Sequence, residues 1–277
     1  MKKVLLCLFC FSLIGLCIYI ITCIFIPSDN RNYKWHDDIL IGHAFGEIDG
    51  ELYTNSKEAF EAAYKRGIRT FEVDLQWTQD KKLVLCHLCS DTISMETDFL
   101  EQKINGKYTP MSFSDLIILM QEYPNITIVL DTKLKDKSNI ALQFNEMKRI
   151  TEEMACPSIL DRIIVQVYNE TMFEFVNEIY NFPKYIFTMY KRYNQKINDS
   201  QLQDFDYILS WVEAHNIYAI TIFDRLIDDR TEPIIKNHSN IKVFVNTIND
   251  VDVAKNYLNN GYYGIYTDSI SRQDLFS

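Results

Sequence analysis

The residues best suited to chemistry in this chain sit in two short apolar runs. In TFEVDLQ (70–76) Glu72 and Asp74 stand two residues apart, and in ITIVLDTK (126–133) Asp131 and Lys133 do the same. Alternate side chains of a β-strand share a face, so Glu72 and Asp74 point one way while Phe71, Val73 and Leu75 point the other. Carboxylates brought together out of water raise one another's pKa, and a cation or a proton must relieve the conflict. Three carboxylates from two strands form an all-oxygen ligand set, which suits a hard divalent ion, Ca²⁺ or Mg²⁺. One such cation is expected at Glu72, Asp74 and Asp131, with Lys133 beside it as a fixed positive charge for an anionic substrate.

Two of the five histidines follow strand-like runs: His43 ends ILIG, and His87 ends KLVLC. Imidazole titrates near neutrality and suits proton transfer. Placed at strand ends with Glu72, Asp74 and Asp131, His43 and His87 become acid/base candidates, whereas His36, His215 and His238 lack such company and read as solvated or local structural residues. The CHLC at 86–89 has the CxxC spacing of a metal site, but no second Cys/His pair lies nearby, so structural zinc is not expected. A disulfide among Cys86, Cys89 and Cys156 cannot be deduced from spacing.

The elements that must hold these residues alternate in type. Strand-like runs occur at 39–44, 70–76, 126–133, 162–168, 184–190, 217–223, 241–247 and 262–268. Segments with helical spacing lie between most of them, such as 56–67, where Ala59, Phe60, Ala63 and Tyr64 share a face and Gly67 stops the helix. Eight strands separated by helices imply an α/β fold, a parallel (β/α)8 TIM barrel, whose C-terminal strand ends carry the active site. The run 82–87 is expected to form a hairpin with the second strand, followed by an insertion of irregular structure over 89–111.

The N-terminus reads differently. Residues 4–26 are uncharged and apolar for 23 positions and precede Pro27, more than the ~20 needed for a helix to cross a bilayer. This is longer than a typical signal-peptide core and lacks a small-residue cleavage site. The expectation is an N-terminal transmembrane anchor or signal segment over 1–27, an uncleaved anchor being preferred, followed by a barrel domain over 38–277. Lys2 and Lys3 favour a cytoplasmic N-terminus and hence an extracytoplasmic barrel, although Arg31 and Lys34 compete from the other side. The net charge of −10, without clustered Lys and Arg, argues against nucleic-acid binding.

The ordered motifs HAFG, YTNSKEAFEAAYKRGIRTFEVDLQWTQDKKLVLCH, VLDTK and GYYGIYTD resemble the glycerophosphodiester phosphodiesterase family, which is related to phosphatidylinositol-specific phospholipase C. The resemblance spans roughly residues 39–270 and is most specific between His43 and His87. It implies a barrel with metal at Glu72, Asp74 and Asp131, His43 and His87 as the acid/base pair, and Lys133 near the phosphate. It also brings forward Asn55, which matches the family's Pro-Glu-Asn-Thr turn, as a substrate-binding residue; Gln166, inward-facing by alternation in IIVQVY, is expected to be another. Several positions depart from the pattern. Ala44 replaces an Arg, Asp131 replaces a Glu, Leu88 replaces an Asp, Thr54 replaces a Glu, and Asn246 stands in place of a Trp. The lost Arg would leave Lys133, the metal, Arg69 or Gln166 to contact the phosphate.

The expected function is metal-dependent hydrolysis of a phosphodiester, of the glycerophosphodiester or phospholipid-headgroup type. A membrane-anchored barrel that binds a phosphorylated headgroup or glycan without turnover is the alternative.

Overall fold

The computed structural model describes residues 38–87, 95–133, 136–189, 192–193 and 195–276. The apolar run 4–26, His36, Leu88 and Cys89 lie outside these residues, and with them the expected transmembrane helix. Among the described residues, no helix is long and apolar enough to cross a membrane.

Strands β1 (Leu40–Gly42), β2 (Thr70–Trp77), β3 (Leu83–Leu85), β4 (Thr127–Asp131), β5 (Ile163–Val167), β6 (Lys184–Thr188), β7 (Ala219–Phe223), β8 (Lys242–Asn246) and β9 (Gly264–Thr267) form one sheet. All except β3 run parallel, in the order β1-β9-β8-β7-β6-β5-β4-β2, and β1 also pairs with β2, which closes the sheet into a barrel of eight strands. Each strand falls within a run expected from the sequence, except that β2 runs one residue further, to Trp77. β3 pairs antiparallel with the end of β2, Leu75 opposite Leu85 and Trp77 opposite Leu83, as the expected hairpin. The segment expected to be irregular is partly ordered. It holds a short helix at Glu96–Glu101 and a bridge between Ile104 and Tyr108. Cys86 is disulfide-bonded to a partner outside the described residues, and Cys156 is a free thiol.

Two apolar layers follow from strand alternation. Phe71, Val73 and Leu75 pack outward into the layer between sheet and helices. Ile41, Val129, Ile164, Ile186, Ala219, Phe244 and Tyr266 fill the barrel interior. Gly264 belongs to this interior because a Cβ there would lie 2.4 Å from the Ile39 carbonyl oxygen and 2.7 Å from the Phe244 ring. Toward the N-terminal strand ends, Lys184 Nζ lies 4.0 Å from the Tyr218 ring and Lys242 Nζ 4.3 Å from the Tyr263 ring, so ammonium groups and aromatic faces share that end of the barrel. Polar side chains take the opposite, C-terminal end.

Some helices begin where a side chain satisfies a free backbone N–H group. Ser56 caps helix Lys57–Lys65 by accepting from Ala59 N–H, and Ser112 with Asp115 forms a capping box on helix Phe113–Glu122. Arg162, just before β5, is fully buried, and its guanidinium donates to the carbonyls of Met120, Tyr123 and Ile126. These carbonyls close the end of a helix and the start of β4, so one cation links three elements.

Because those buried carbonyls would lose charged donors, Arg162→Leu should destabilise the protein by about 3 kcal/mol. The measurement is a lowered urea midpoint with an unchanged slope, and an unmoved midpoint would show that the carbonyls find other donors.

Candidate active site

Barrel closure gathers the predicted residues at one mouth. A cavity of ≈ 160 Å³ is lined by His43, Tyr53, Glu72, His87, Asp131, Lys133, Gln166, Thr221, Phe223, Asn246, Thr247 and Tyr266. β2 and β4 pair in register with Asp74 opposite Asp131, and Glu72 lies one inward position deeper. Glu72, Asp74 and Asp131 are all buried, and each offers a carboxylate oxygen within 4.8 Å of the other two.

Each carboxylate has one oxygen held from behind. Glu72 Oε2 accepts from Ala44 N–H at 2.8 Å, and Asp74 Oδ2 accepts from Asn55 Nδ2 at 2.9 Å. Asp131 Oδ1 accepts from the Tyr168 hydroxyl and, at 3.1 Å, from Lys133 N–H. The second oxygens, Glu72 Oε1, Asp74 Oδ1 and Asp131 Oδ2, are not taken by these partners. Among the described residues neither Glu72 Oε1 nor Asp74 Oδ1 receives a hydrogen bond. Lys133 Nζ bridges the other two carboxylates, donating to Asp131 Oδ2 and lying 2.8 Å from Asp74 Oδ1, too poorly aligned there to count as a hydrogen bond. A buried all-oxygen cluster with fixed outer partners, in which Asp74 Oδ1 accepts no hydrogen bond, fits a hard divalent cation.

Electrostatics point the same way. Burial first, and the Asp74 carboxylate second, push the Glu72 pKa up to about 8 against the pull of His43 and Lys133. Without a metal, a proton on Glu72 relieves the charge conflict at neutral pH. Burial opposes the charge on Lys133, but Asp131 and Asp74 outweigh it and hold its pKa above the usual lysine range.

The two histidines are held differently. His43 Nδ1 lies 2.9 Å from Asp268 Oδ1, while Asp268 Oδ2 accepts from Asn249 Nδ2 at 2.7 Å. Burial lowers the pKa of His43, yet the Asp268 hydrogen bond and the Glu72 charge more than compensate and raise it. His87 follows the β3 hairpin, and burial lowers its pKa. The Tyr53 ring lies between the two imidazoles, stacked on His87 at 4.6 Å and edge-on to His43 at 4.9 Å.

The turn after β1 is locally strained. Ala44 and Phe45 take φ of 47° and 68°, a region uncommon for residues other than glycine. Phe45 is held there by the Phe60 and Phe71 rings, and the turn aims Ala44 N–H at Glu72. Ala44 itself is buried and supplies no charge.

Of the predicted residues, His43, His87, Lys133, Glu72, Asp131 and Gln166 line the cavity, and Asp74 stands directly behind it. Asn55, expected to touch substrate, is fully buried instead. Its amide both donates to Asp74 Oδ2 and accepts from Asp74 N–H, so it holds the carboxylate in place. Gln166 is also engaged at both ends, donating to the Tyr266 hydroxyl and accepting from Thr188. Arg69, considered for the phosphate, instead donates to the Tyr64 and Ile68 carbonyls and is not among the cavity-lining residues.

Sequence reading passed over Asp268, Tyr168, Tyr266 and Tyr53. Asp268 ends the motif GYYGIYTD and Tyr266 follows from inward alternation in β9, so both were within reach. Tyr53 stands where the family turn has Pro, a departure that could have drawn notice. Tyr168 lies just beyond β5, and nothing in its spacing links it to Asp131.

Residues 48–272 match the model of the glycerophosphoryl diester phosphodiesterase family. No curated protein matches the chain. Among solved structures, a glycerophosphodiester phosphodiesterase from Parabacteroides distasonis is similar at 13% identity with a TM-score of 0.64, over 83% of this chain and 92% of that one. An Oleispira antarctica phosphodiesterase, solved in complex with the product sn-glycerol-3-phosphate, is similar at 14% identity and a TM-score of 0.61, over 83% and 93%. A glycerophosphodiester phosphodiesterase from Agrobacterium tumefaciens is similar at 12% identity and a TM-score of 0.57, over 86% and 96%. At these identities the structures share the fold.

A proton on Glu72 stabilises the metal-free fold below the ordinary carboxyl range and is lost as pH rises toward about 8. The metal-free wild type should therefore lose melting temperature relative to Glu72→Gln as pH rises from about 5 to 8. Added Ca²⁺ or Mg²⁺ should raise the wild-type melting temperature more at pH 8 than at pH 6. A pH-independent difference between the two proteins would show that Glu72 ionises freely.

Proposed function

Because the chain belongs to the glycerophosphoryl diester phosphodiesterase family, we propose that the cavity at the barrel mouth hydrolyses a glycerophosphodiester with the help of one divalent cation. The observation that carries this reading is the convergence of Glu72, Asp74, Asp131, Lys133 and two histidines on one small cavity.

Glu72, Asp74 and Asp131 would hold the cation, which when bound supplies charge neutralisation at a phosphate oxygen and a lowered pKa for a nearby hydroxyl. His43 serves as the base. Asp268 fixes its tautomer and stabilises the imidazolium formed when His43 takes the proton of the attacking water or substrate hydroxyl. His87, which lines the same cavity, delivers a proton to the departing alkoxide. The Lys133 ammonium at the cavity wall stabilises charge on the phosphoryl oxygens. If a substrate hydroxyl attacks, a cyclic phosphate forms first.

Ca²⁺ and Mg²⁺ both suit the ligand set, and the substrate is a glycerophosphodiester or a phospholipid headgroup. The product bound in the Oleispira antarctica phosphodiesterase, sn-glycerol-3-phosphate, supports a glycerol phosphate on one side. The polar wall of Gln166, Thr221, Asn246 and Tyr266 suits its hydroxyl groups. Tyr266 is held well above the usual tyrosine range by burial, and then by the Glu72 charge, so it remains an un-ionised hydroxyl. The apolar run 4–26 anchors the protein as a single-pass helix, with the barrel on the extracytoplasmic side.

Turnover of a glycerophosphodiester should vanish on chelation and return with Ca²⁺ or Mg²⁺. His43→Ala and His87→Ala should each lower kcat by about a hundredfold or more while keeping the melting transition. Turnover indifferent to chelator and to both substitutions would refute these roles, and absence of turnover with the metal supplied would favour a non-catalytic barrel. For the anchor, membrane pellets should retain the protein through alkaline carbonate washing, and release into the supernatant would contradict it.

A further inference from the structure

The two proton-transfer candidates differ in what orients them. His43 has a carboxylate at Nδ1, and that carboxylate is itself held by Asn249. Among the described residues His87 makes no hydrogen bond. An imidazole on a strand-end turn with no such bond can rotate about two torsions, and a proton donor must hold its nitrogen within hydrogen-bond reach of the reacting oxygen. Among the described residues the ring contact on His87 is the face of Tyr53, stacked at 4.6 Å with 29° between the planes.

Tyr53 is well suited to this task because its own position is fixed from below. The loop is pinned two residues later by the two hydrogen bonds between Asn55 and Asp74, and one residue further by Ser56 at the helix N-cap. Tyr53 has φ of 60° and Asn55 of 48°, left-handed conformations that persist only where neighbouring contacts over-determine them. The same Asn55 that sets the Asp74 carboxylate thus sets the ring that faces His87. Tyr53 is 42% exposed, so core packing does not explain an aromatic side chain there, and its hydroxyl makes no hydrogen bond among the described residues.

We infer that Tyr53 is the positioning residue for His87, its ring face holding the imidazole at the angle from which it exchanges a proton with the reacting oxygen. The inference rests on the reading of His87 as one of the two proton-transfer groups. The ring, not the hydroxyl, does the positioning, so phenylalanine should replace it and alanine should not.

The test uses the full chain in three forms, wild type, Tyr53→Ala and Tyr53→Phe, assayed on a glycerophosphodiester and observed by NMR at the histidine Hε1 protons. The His87 signal is assigned by its loss in His87→Ala. In the wild type and Tyr53→Phe this signal should be displaced by the aromatic ring current, and in Tyr53→Ala it should return toward the free-histidine position. Tyr53→Ala should lower kcat by about tenfold to a hundredfold with KM moved less than about threefold, and Tyr53→Phe should recover most of that loss. A normal kcat in Tyr53→Ala, an equal loss in Tyr53→Phe, or an undisplaced His87 signal in the wild type would each overturn the inference. A displaced signal in a wild type that cleaves no phosphodiester would refute the catalytic reading itself and reduce the stack to a structural contact.

Discussion

Three carboxylates buried within 4.8 Å of one another cannot all keep their charge without a counter-ion. That constraint organises the mouth of this barrel. The parallel register of β2 and β4 sets Asp74 directly opposite Asp131, a pairing that like charges oppose. Lys133 bridges the two, and Glu72 answers the remaining conflict by keeping a proton to about pH 8. A fold that maintains such a cluster in its interior must have a ligand or a reaction to set against its electrostatic cost. A divalent cation is the ligand whose charge and oxygen preference fit.

The supporting groups come from separate places in the chain. Ala44 N–H reaches Glu72 from the strained turn after β1, Asn55 reaches Asp74 from the loop before the first helix, and Tyr168 reaches Asp131 from beyond β5. Each uses one carboxylate oxygen and leaves the other for the common centre, an arrangement that orients ligands before any ion arrives. The His43–Asp268 pair closes the ring between the first and last strands, whose neighbouring positions exist because β1 pairs with both β2 and β9. Closure of the sheet is therefore a condition for the chemistry as well as for the fold.

Much of this was legible in the sequence because strand alternation is a rigid rule. Phe71, Val73 and Leu75 had to face away from Glu72 and Asp74, and the eight apolar runs separated by helical segments had few ways to pack besides a barrel. The hairpin that carries His87 followed from its polar turn. Contacts that depend on loop conformation were not legible. Asn55 reads as a polar turn residue, and only the left-handed backbone at that position turns its amide onto Asp74 instead of toward substrate. Tyr53 reads as one of seventeen tyrosines until the loop places it between two imidazoles. The helix at Glu96–Glu101 was missed because it is short and buries no residue fully, which leaves little apolar periodicity to detect.

The geometry of the mouth calls for one divalent ion shared by Glu72, Asp74 and Asp131. Crystals soaked in Mn²⁺, a hard stand-in with a usable anomalous signal, test it directly. One strong anomalous peak is expected within about 2.0–2.6 Å of an oxygen from each of the three carboxylates, with the Lys133 ammonium moved off the Asp74–Asp131 bridge. A peak elsewhere in the barrel, or a fully loaded crystal with Lys133 still bridging and no density between the carboxylates, would contradict it.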